Sequence, residues 1–519
     1  MEYFSNIIDE QIWAHPLKYI FIYVTIMTTG GVILCYRHRR IPINISSTER
    51  AWRAIEEIKV LPYLVLGVYI ALIPAWQDFT FFDANHLFKT LDIDKEWLPP
   101  PIWPKAGRLF PLSDQEFRYL ALVSPTIFFY EFIFSLEVVA VIALLCRLID
   151  KIYTPAALAL VITNSAFTQA YFGLVFPERN LVFFLALFAV ALDIWICKGK
   201  IWALALGLFC AATLIFYKEL GVILTGTVGT LCVIKELIKN QQDCDRIIYA
   251  GWALLASSIG WCFIYIIAIY PQIDIAYHTL RSITFTETLE ALAIQPWPWL
   301  LLIIARERIV SIARKASTID PLWDGLIIGS VFYGGALASM RFDLPYYYSP
   351  PAVITLIALF RSGVQKVLGA RWLEIVIFII FIQTYQTAQT VIPYKELVAA
   401  KSDAAKYIGY LKSSTKKVTI HYLDISDYEA GLFSGLLDAK YSLEVHSIVS
   451  SKGIGPPIEK CTNSINMPAC NHDQPPKLGD IAISFKKPHP LVNTILLHAS
   501  EPIGFWKNNY RVYIYEFRN

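Results

Sequence analysis

Carboxylates at the end of an apolar stretch, together with cations at the same ends of other stretches, are the residues of this chain whose placement points to chemistry. Asp78 follows the apolar run that ends at Trp76, and Asp83 and His86 come five and eight residues later in Asp78-Phe-Thr-Phe-Phe-Asp83-Ala-Asn-His86. A carboxylate at a membrane exit can take the proton of a hydroxyl delivered from the adjoining aqueous side. The plain alternative is that Asp78 caps an interfacial helix over residues 79–91 and that Asp83 is solvated. The cations are Arg108 in Lys105-Ala-Gly-Arg108, Arg179 beside Glu178 in Phe176-Pro-Glu-Arg-Asn180, Lys218 beside Glu219 in Tyr217-Lys-Glu219, and Arg341 in Arg341-Phe-Asp343-Leu-Pro345-Tyr-Tyr-Tyr348. Bidentate arginine and point-charge lysine both suit a phosphate, while snorkelling and helix capping are the bland account of the same residues. Glu131, Glu137 and Asp193 fall inside apolar stretches, where ionisable groups are costly and usually functional. Glu131 is expected near the outer interface, lining a cavity; Glu137 and Asp193 are expected deeper, where a proton-coupled transporter would use them. Asp92-Ile-Asp94 matches a short metal-binding pattern that arises readily by chance, and neither a metal nor a cofactor is expected.

Such residues need a scaffold, and composition says which kind. The chain has 519 residues, 56% hydrophobic and 17% charged, against roughly 45–50% and about 25% in soluble domains. Its 14 Trp, 29 Tyr and 31 Phe suit long membrane interfaces, and a net charge of +3 gives a nucleic-acid partner no electrostatic support. A bilayer crossing takes roughly 20 mostly apolar residues. About twelve such spans are expected, near 17–36, 60–76, 122–146, 155–175, 180–197, 201–217, 220–235, 247–270, 296–308, 322–340, 346–361 and 372–392. About twenty Lys/Arg gather in the short loops of one side, from Arg37 to Arg371, roughly double the other side, which makes that side cytoplasmic. The large loop 77–121, the other cations named above and everything after about 393 then lie outside. The first span has arginines after it rather than a basic segment before it, so it is not expected to be a cleaved signal peptide.

The tail 393–519 changes character. An amphipathic helical stretch over 394–411 precedes strand-like segments at 418–422, 443–449, 481–485, 494–498 and 512–517, with a helix over 428–437. This predicts a small α/β domain outside the membrane, distinct from a membrane domain over 1–392. Seven of the nine cysteines lie in spans or inner loops; Cys461 and Cys470, in the exported tail, are expected to form a disulfide. The sequon Asn44-Ile-Ser46 falls in an inner loop and the tail has none, so a bacterial inner membrane with a periplasmic tail is the preferred setting.

This layout resembles the GT-C superfamily of integral membrane glycosyltransferases, which includes protein O-mannosyltransferases, aminoarabinose transferases and arabinosyltransferases. The residues that carry the resemblance are the acidic start of the first large outer loop (Asp78, Asp83) with its interfacial helix, the charged tip Tyr217-Lys-Glu219, and Arg341-Phe-Asp-Leu-Pro-Tyr-Tyr-Tyr, similar to the family's Arg-Tyr-x-x-Pro lead-in to a late span. The exported tail is similar to the C-terminal domains of many members. Two departures are an extra span before the one leading into the catalytic loop and the lack of an acidic neighbour beside Asp78, which leaves Asp78 and Asp83 both open as the base. The resemblance implies a polyprenyl-phosphate sugar donor, a glycan, lipid or protein acceptor, and inverting attack without metal. Arg341 and Lys218, assisted by Arg179 or Arg108, would hold the departing phosphate. Glu178, Glu219, His86 and Glu131 would contact substrate. The competing class is a proton-coupled lipid or sugar transporter or flippase.

Overall fold

The computed structural model describes residues 61–76, 90–91, 102–103, 105, 107–150, 153–238, 245–273, 284–314, 319–342, 344–361, 372–413, 415, 417–423, 427–449, 477–484, 494–499 and 512–517. Asp78, Asp83, His86, Asp92, Asp94, Cys461, Cys470 and the first expected span lie outside these residues.

Continuous apolar runs become helices because a backbone removed from water must satisfy its own hydrogen bonds. In chain order these are α1 (Leu61–Trp76), α2 (Gln115–Ala121), α3 (Ile127–Arg147), α4 (Thr154–Ile162), α5 (Ser165–Phe172), α6 (Glu178–Lys198), α7 (Ile201–Tyr217), α8 (Gly221–Ile238) and α9 (Asp245–Ile264, continued by a π turn to Ile269). Then follow α10 (Phe285–Ala293), α11 (Pro296–Arg314), α12 (Pro321–Ser339), α13 (Ser349–Arg361) and α14 (Trp372–Leu411). Between α1 and α2, Ile102–Trp103 and Arg108–Leu109 pair antiparallel as β1 and β2. Among the described residues five helices are long and apolar enough to cross a bilayer, namely α3, α6, α8, the α9 stretch Ile247–Gln272 and α12. A sixth arises if α10 and α11, bent by 85° at their junction, count as one span. α7 is apolar but shorter, and α1 and α13 have 16 and 13 residues.

Glycines set how closely the bundle packs. A Cβ on Gly325 of α12 would lie 2.6 Å from the Cα of Val228 on α8, and one on Gly251 of α9 would lie 3.0 Å from the Gly229 carbonyl of α8. These contacts are backbone on backbone, the close approach that small residues permit in membrane bundles.

Charge is sorted to two levels of the bundle. Arg179 and Asp193 are fourteen residues apart on α6, hence about 21 Å along its axis. At the Asp193 level, Arg361 pairs with Asp193 at 2.8 Å and donates to the Leu148 carbonyl, and Arg308 grips the fully buried Asp324 at 2.6 and 3.0 Å. Asp193 therefore has a cation at one end of the bundle, where a deeper position was expected. Between the levels the expected span 155–175 is broken. Asn164 ends α4 and caps α5 by accepting from the Ala166 and Phe167 N–H groups. Around this break Thr163 donates to Gln383, Ser165 donates to Gln295 at the α10–α11 bend, and Gln386 donates to the Ile294 carbonyl.

The C-terminal segment follows the sequence reading closely. Strands β3 (Lys417–Tyr422), β4 (Glu444–Val449), β5 (Ile481–Ser484), β6 (Thr494–Ala499) and β7 (Tyr513–Phe517), with α15 (Asp427–Tyr441), form a sheet of order β4-β3-β5-β7-β6. β3, β4 and β5 are parallel, and β7 runs antiparallel to β5 and β6. The expected helix at 394–411 is not separate: it is the end of the 40-residue α14, about 60 Å long, which crosses the boundary placed at 392/393. Its buried side chains pass from the bundle core at Val398 to the sheet core at Ala400, Ala404, Ala405 and Ile408.

Candidate functional site

The Arg179 level gathers charges from five separate segments. α7 stops at Tyr217 because Lys218 is extended, and α8 restarts at Gly221, whose N–H bonds the Lys218 carbonyl at 2.9 Å. A Cβ at Gly221 would meet the Leu214 carbonyl oxygen at 2.8 Å, so the turn that presents Lys218 and Glu219 requires glycine. Lys218 Nζ lies 2.7 Å from Glu178 Oε1, with the Tyr347 and Phe110 rings 5.0 and 5.6 Å away. Glu178 is fully buried and Lys218 nearly so. Arg108, brought in by the β1–β2 hairpin, donates from Nε to Glu219 Oε1 at 2.8 Å, and the Leu109 N–H reaches the same oxygen. Burial alone would raise the Glu219 pKa, but Arg108 and Lys218 hold it below the usual carboxylate value.

Arg179 is completely enclosed. Its guanidinium sits 3.3 Å from the Phe134 ring centroid, donates to the Gly173 and Leu174 carbonyls and to Glu116 Oε1 at 3.1 Å, and lies 3.7 Å from Glu137. Glu116 also accepts from Asn180, and Glu137 from the Tyr171 hydroxyl. Burial pushes the Glu116 carboxyl above its ordinary range, against the pull of Arg179. Three cations thus face four carboxylates, Glu116, Glu137, Glu178 and Glu219. The enclosed set carries no spare positive charge.

An open cavity of about 470 Å³ adjoins Arg179, between α2, α3 and the facing ends of α6 and α7. Its wall includes Gln115, Glu116, Tyr119, Phe134, Glu137, Asn180 and Tyr217. Glu131, Glu178 and Glu219 are not part of that lining, and Glu131 is fully buried in α3. Arg341 is half-buried at the end of α12 with φ of +60°, a left-handed conformation unusual for a side-chain-bearing residue. It begins the segment that returns through Pro345–Tyr348, where the Tyr348 hydroxyl donates to the Phe342 carbonyl at 2.6 Å.

The Tyr217-Lys-Glu219 tip and the Arg341–Tyr348 segment, far apart in sequence, therefore meet at Lys218 and Tyr347. Comparison with models of known protein families gives no match, and no curated protein sequence matches the chain. Helix α1 also leads to this level: Tyr69 donates to Thr168 at 3.3 Å and packs edge-on against Phe172, and the Ile70 carbonyl accepts from Ser135. Its last residue, Trp76, is seven positions further on, so α1 ends at the bundle end that holds the charged cluster. Glu116 and Asn180 escaped the sequence reading, because a charge beside a short amphipathic helix looks solvated until its partner is known. Glu137 was expected deeper in its span; it lies at the Arg179 level, 3.7 Å from that guanidinium and in the cavity wall. Among the described residues no group of three or more His, Cys, Asp and Glu is placed to hold a metal ion.

Proposed function

We propose that the chain is a membrane glycosyltransferase with about twelve spans, moving a sugar from a polyprenyl-phosphate donor to an acceptor hydroxyl outside a bacterial inner membrane. The observation that carries this reading is the meeting of the Tyr217-Lys-Glu219 tip with the Arg341–Tyr348 segment beside a largely apolar cavity that carries a few polar groups. Asp78, two residues beyond α1, is the general base in this account, with Asp83 as the alternate. The anomeric carbon is attacked by the acceptor oxygen, its bond to the phosphate oxygen breaks, and the acceptor proton passes to the aspartate. Lys218 and Arg341 stabilise the departing phosphate. Lys218 offers two further N–H donors beyond the one directed at Glu178. Arg341 is the left-handed residue that ends α12, where the Phe342 N–H bonds the Leu337 carbonyl and the Arg341 N–H bonds the Ala338 carbonyl, so the helix end fixes where its side chain starts. Arg179 instead holds Glu116 and Glu137 at the cavity wall, and Arg108 holds Glu219 beside Lys218.

The purified full chain in nanodiscs, given a polyprenyl-phosphate sugar and acceptor, is expected to release polyprenyl phosphate in the presence of a chelator. Lys218→Met combined with Glu178→Gln, which leaves no buried charge unpaired, should lower the rate on the order of 10²-fold. Donor that stays intact with a broad acceptor panel contradicts the reading, and release abolished by chelator contradicts its metal-free form. The orientation, which follows the Lys/Arg asymmetry, has its own test. Reporter fusions after Asn240 and Gly363 should read cytoplasmic and a fusion at Asn519 periplasmic; a cytoplasmic C-terminus would place the charged cluster on the wrong side for this donor.

One observation favours the transporter reading. Two interrupted helices, α4–α5 and α10–α11, meet through the Ser165–Gln295 hydrogen bond, and interrupted helices build substrate sites in many transporters.

A further inference from the structure

The wall of the cavity is uneven in its hydrogen-bonding capacity. Glu116 Oε1 accepts from Arg179 and Asn180 and its Oε2 is enclosed, so Glu116 gives the wall negative charge rather than an open acceptor. Asn180, 6% exposed, uses its amide N–H on Glu116, and its Oδ1 has no partner among the described residues. Gln115 donates to the Ser113 carbonyl and likewise keeps Oε1 unpartnered among them. Glu137 receives a 3.4 Å hydrogen bond from Tyr171 and a distant Arg179 Nε. The unused capacity is therefore almost all acceptor, supplemented by the Tyr217 hydroxyl, which can act either way. Arg179 is sealed behind these groups, so a ligand in the cavity meets carboxylates rather than the guanidinium. Tyr119, Phe134 and Tyr217 add aromatic surface to the wall.

The geometry points to a sugar-ring subsite in this cavity, in which ring hydroxyls, or a ring ammonium, donate to Glu137, Asn180 and Gln115, with the Glu116 charge behind them. The phosphodiester of a lipid-linked sugar offers acceptors alone, and any phosphate carries negative charge, so it is excluded from this carboxylate-bearing wall and belongs on the Lys218 side of Tyr217. The volume of about 470 Å³ holds one or two hexose rings and falls within the usual range for small-molecule pockets, roughly 300–1,000 Å³. The cavity's preference for donors stands on its own geometry; that the ring is the sugar of the lipid donor rests on the transferase reading.

The test titrates the full chain in nanodiscs with methyl glucoside, methyl glucosaminide and inorganic phosphate, followed by saturation-transfer NMR for the glycosides and ³¹P line broadening for phosphate. Both glycosides should bind, the glucosaminide more tightly. Leu112→Trp, which fills the cavity and replaces no member of an ion pair, should weaken both by at least about tenfold. Gln115→Leu, which removes one acceptor, should weaken them about fivefold, in keeping with one lost hydrogen bond. Gln115→Leu carries the test alone if Leu112→Trp melts early. Absence of glycoside binding, glycoside binding unchanged in the variants, or phosphate broadening that Leu112→Trp removes would each overturn the subsite. The subsite and the transferase fail separately. Glycosides bound in the cavity of a protein that never consumes donor keep the subsite and lose the transferase. Transfer at full rate in Leu112→Trp does the reverse.

Discussion

Arg179→Met should destabilise the protein by about 3–5 kcal/mol, the cost of leaving buried carboxylates without their counter-ion. The guanidinium has no exposed surface, and it is what draws Glu116 of α2, Glu137 of α3 and the Gly173 and Leu174 carbonyls to a single point. Arg179→Lys should recover little, because one ammonium cannot reproduce the planar fork that reaches all four partners. The triple variant Arg179→Met/Glu116→Gln/Glu137→Gln should recover most of the loss, since it removes Arg179 together with both of its carboxylate partners. Urea unfolding in detergent, followed by tryptophan fluorescence, measures all three. A single-variant loss below about 1 kcal/mol would mean that water reaches the cluster and that Arg179 is not its keystone.

Asp78→Asn should abolish transfer while leaving folding and donor binding nearly intact. Removing a general base typically costs 10²–10⁴-fold in rate, whereas removing a helix cap costs about 1 kcal/mol of stability and no specific chemistry. Asp78 is favoured because it follows α1 by two residues in the sequence, and α1 itself ends at the bundle end where Lys218 and the cavity lie. Asp83, five residues on, would be about 7–8 Å away along a helix, too far for both carboxylates to serve one hydroxyl. Single-turnover transfer with each variant separates them. If Asp83→Asn is inactive and Asp78→Asn normal, the assignment passes to Asp83 and the mechanism stands. Normal turnover in both variants would remove the aspartate base from the account.

The C-terminal sheet was legible in the sequence because each strand alternates or is wholly apolar between turn residues. Val418, Ile420 and Tyr422 alternate inward on β3, and every expected strand is present within about two residues at each end. The continuity of α14 was not legible: the polar residues after 392 look like the start of a new element, and the sheet core that buries Ala400 and Ala404 is assembled from later sequence. The break at Asn164 was hidden for a related reason. Thr163-Asn164-Ser165 reads as a tolerable polar insertion in an apolar run, and its partners Gln295 and Gln383 lie 130 and 220 positions away. At the site, the charges at the ends of α6 and α7 could be named from sequence, but their pairing could not. Arg179 looked like a phosphate ligand because its type and place in the chain suit one. Its burial against Phe134 and its two glutamates belong to the packing of α2, α3 and α6, which no local pattern encodes.

The central claim is that a glycosidic bond forms at this end of the bundle, and the most direct measurement follows a radiolabelled sugar. Proteoliposomes containing the full chain are loaded with polyprenyl-phosphate sugar labelled in the ring and offered acceptor on the side of the C-terminal domain. The account predicts label covalently attached to acceptor, inverted at the anomeric carbon, with one polyprenyl phosphate released per sugar transferred. Label that crosses the bilayer still attached to its lipid, or as free sugar, with no acceptor linkage formed, would contradict it and leave the interrupted helices α4–α5 and α10–α11 as the parts of the molecule to explain.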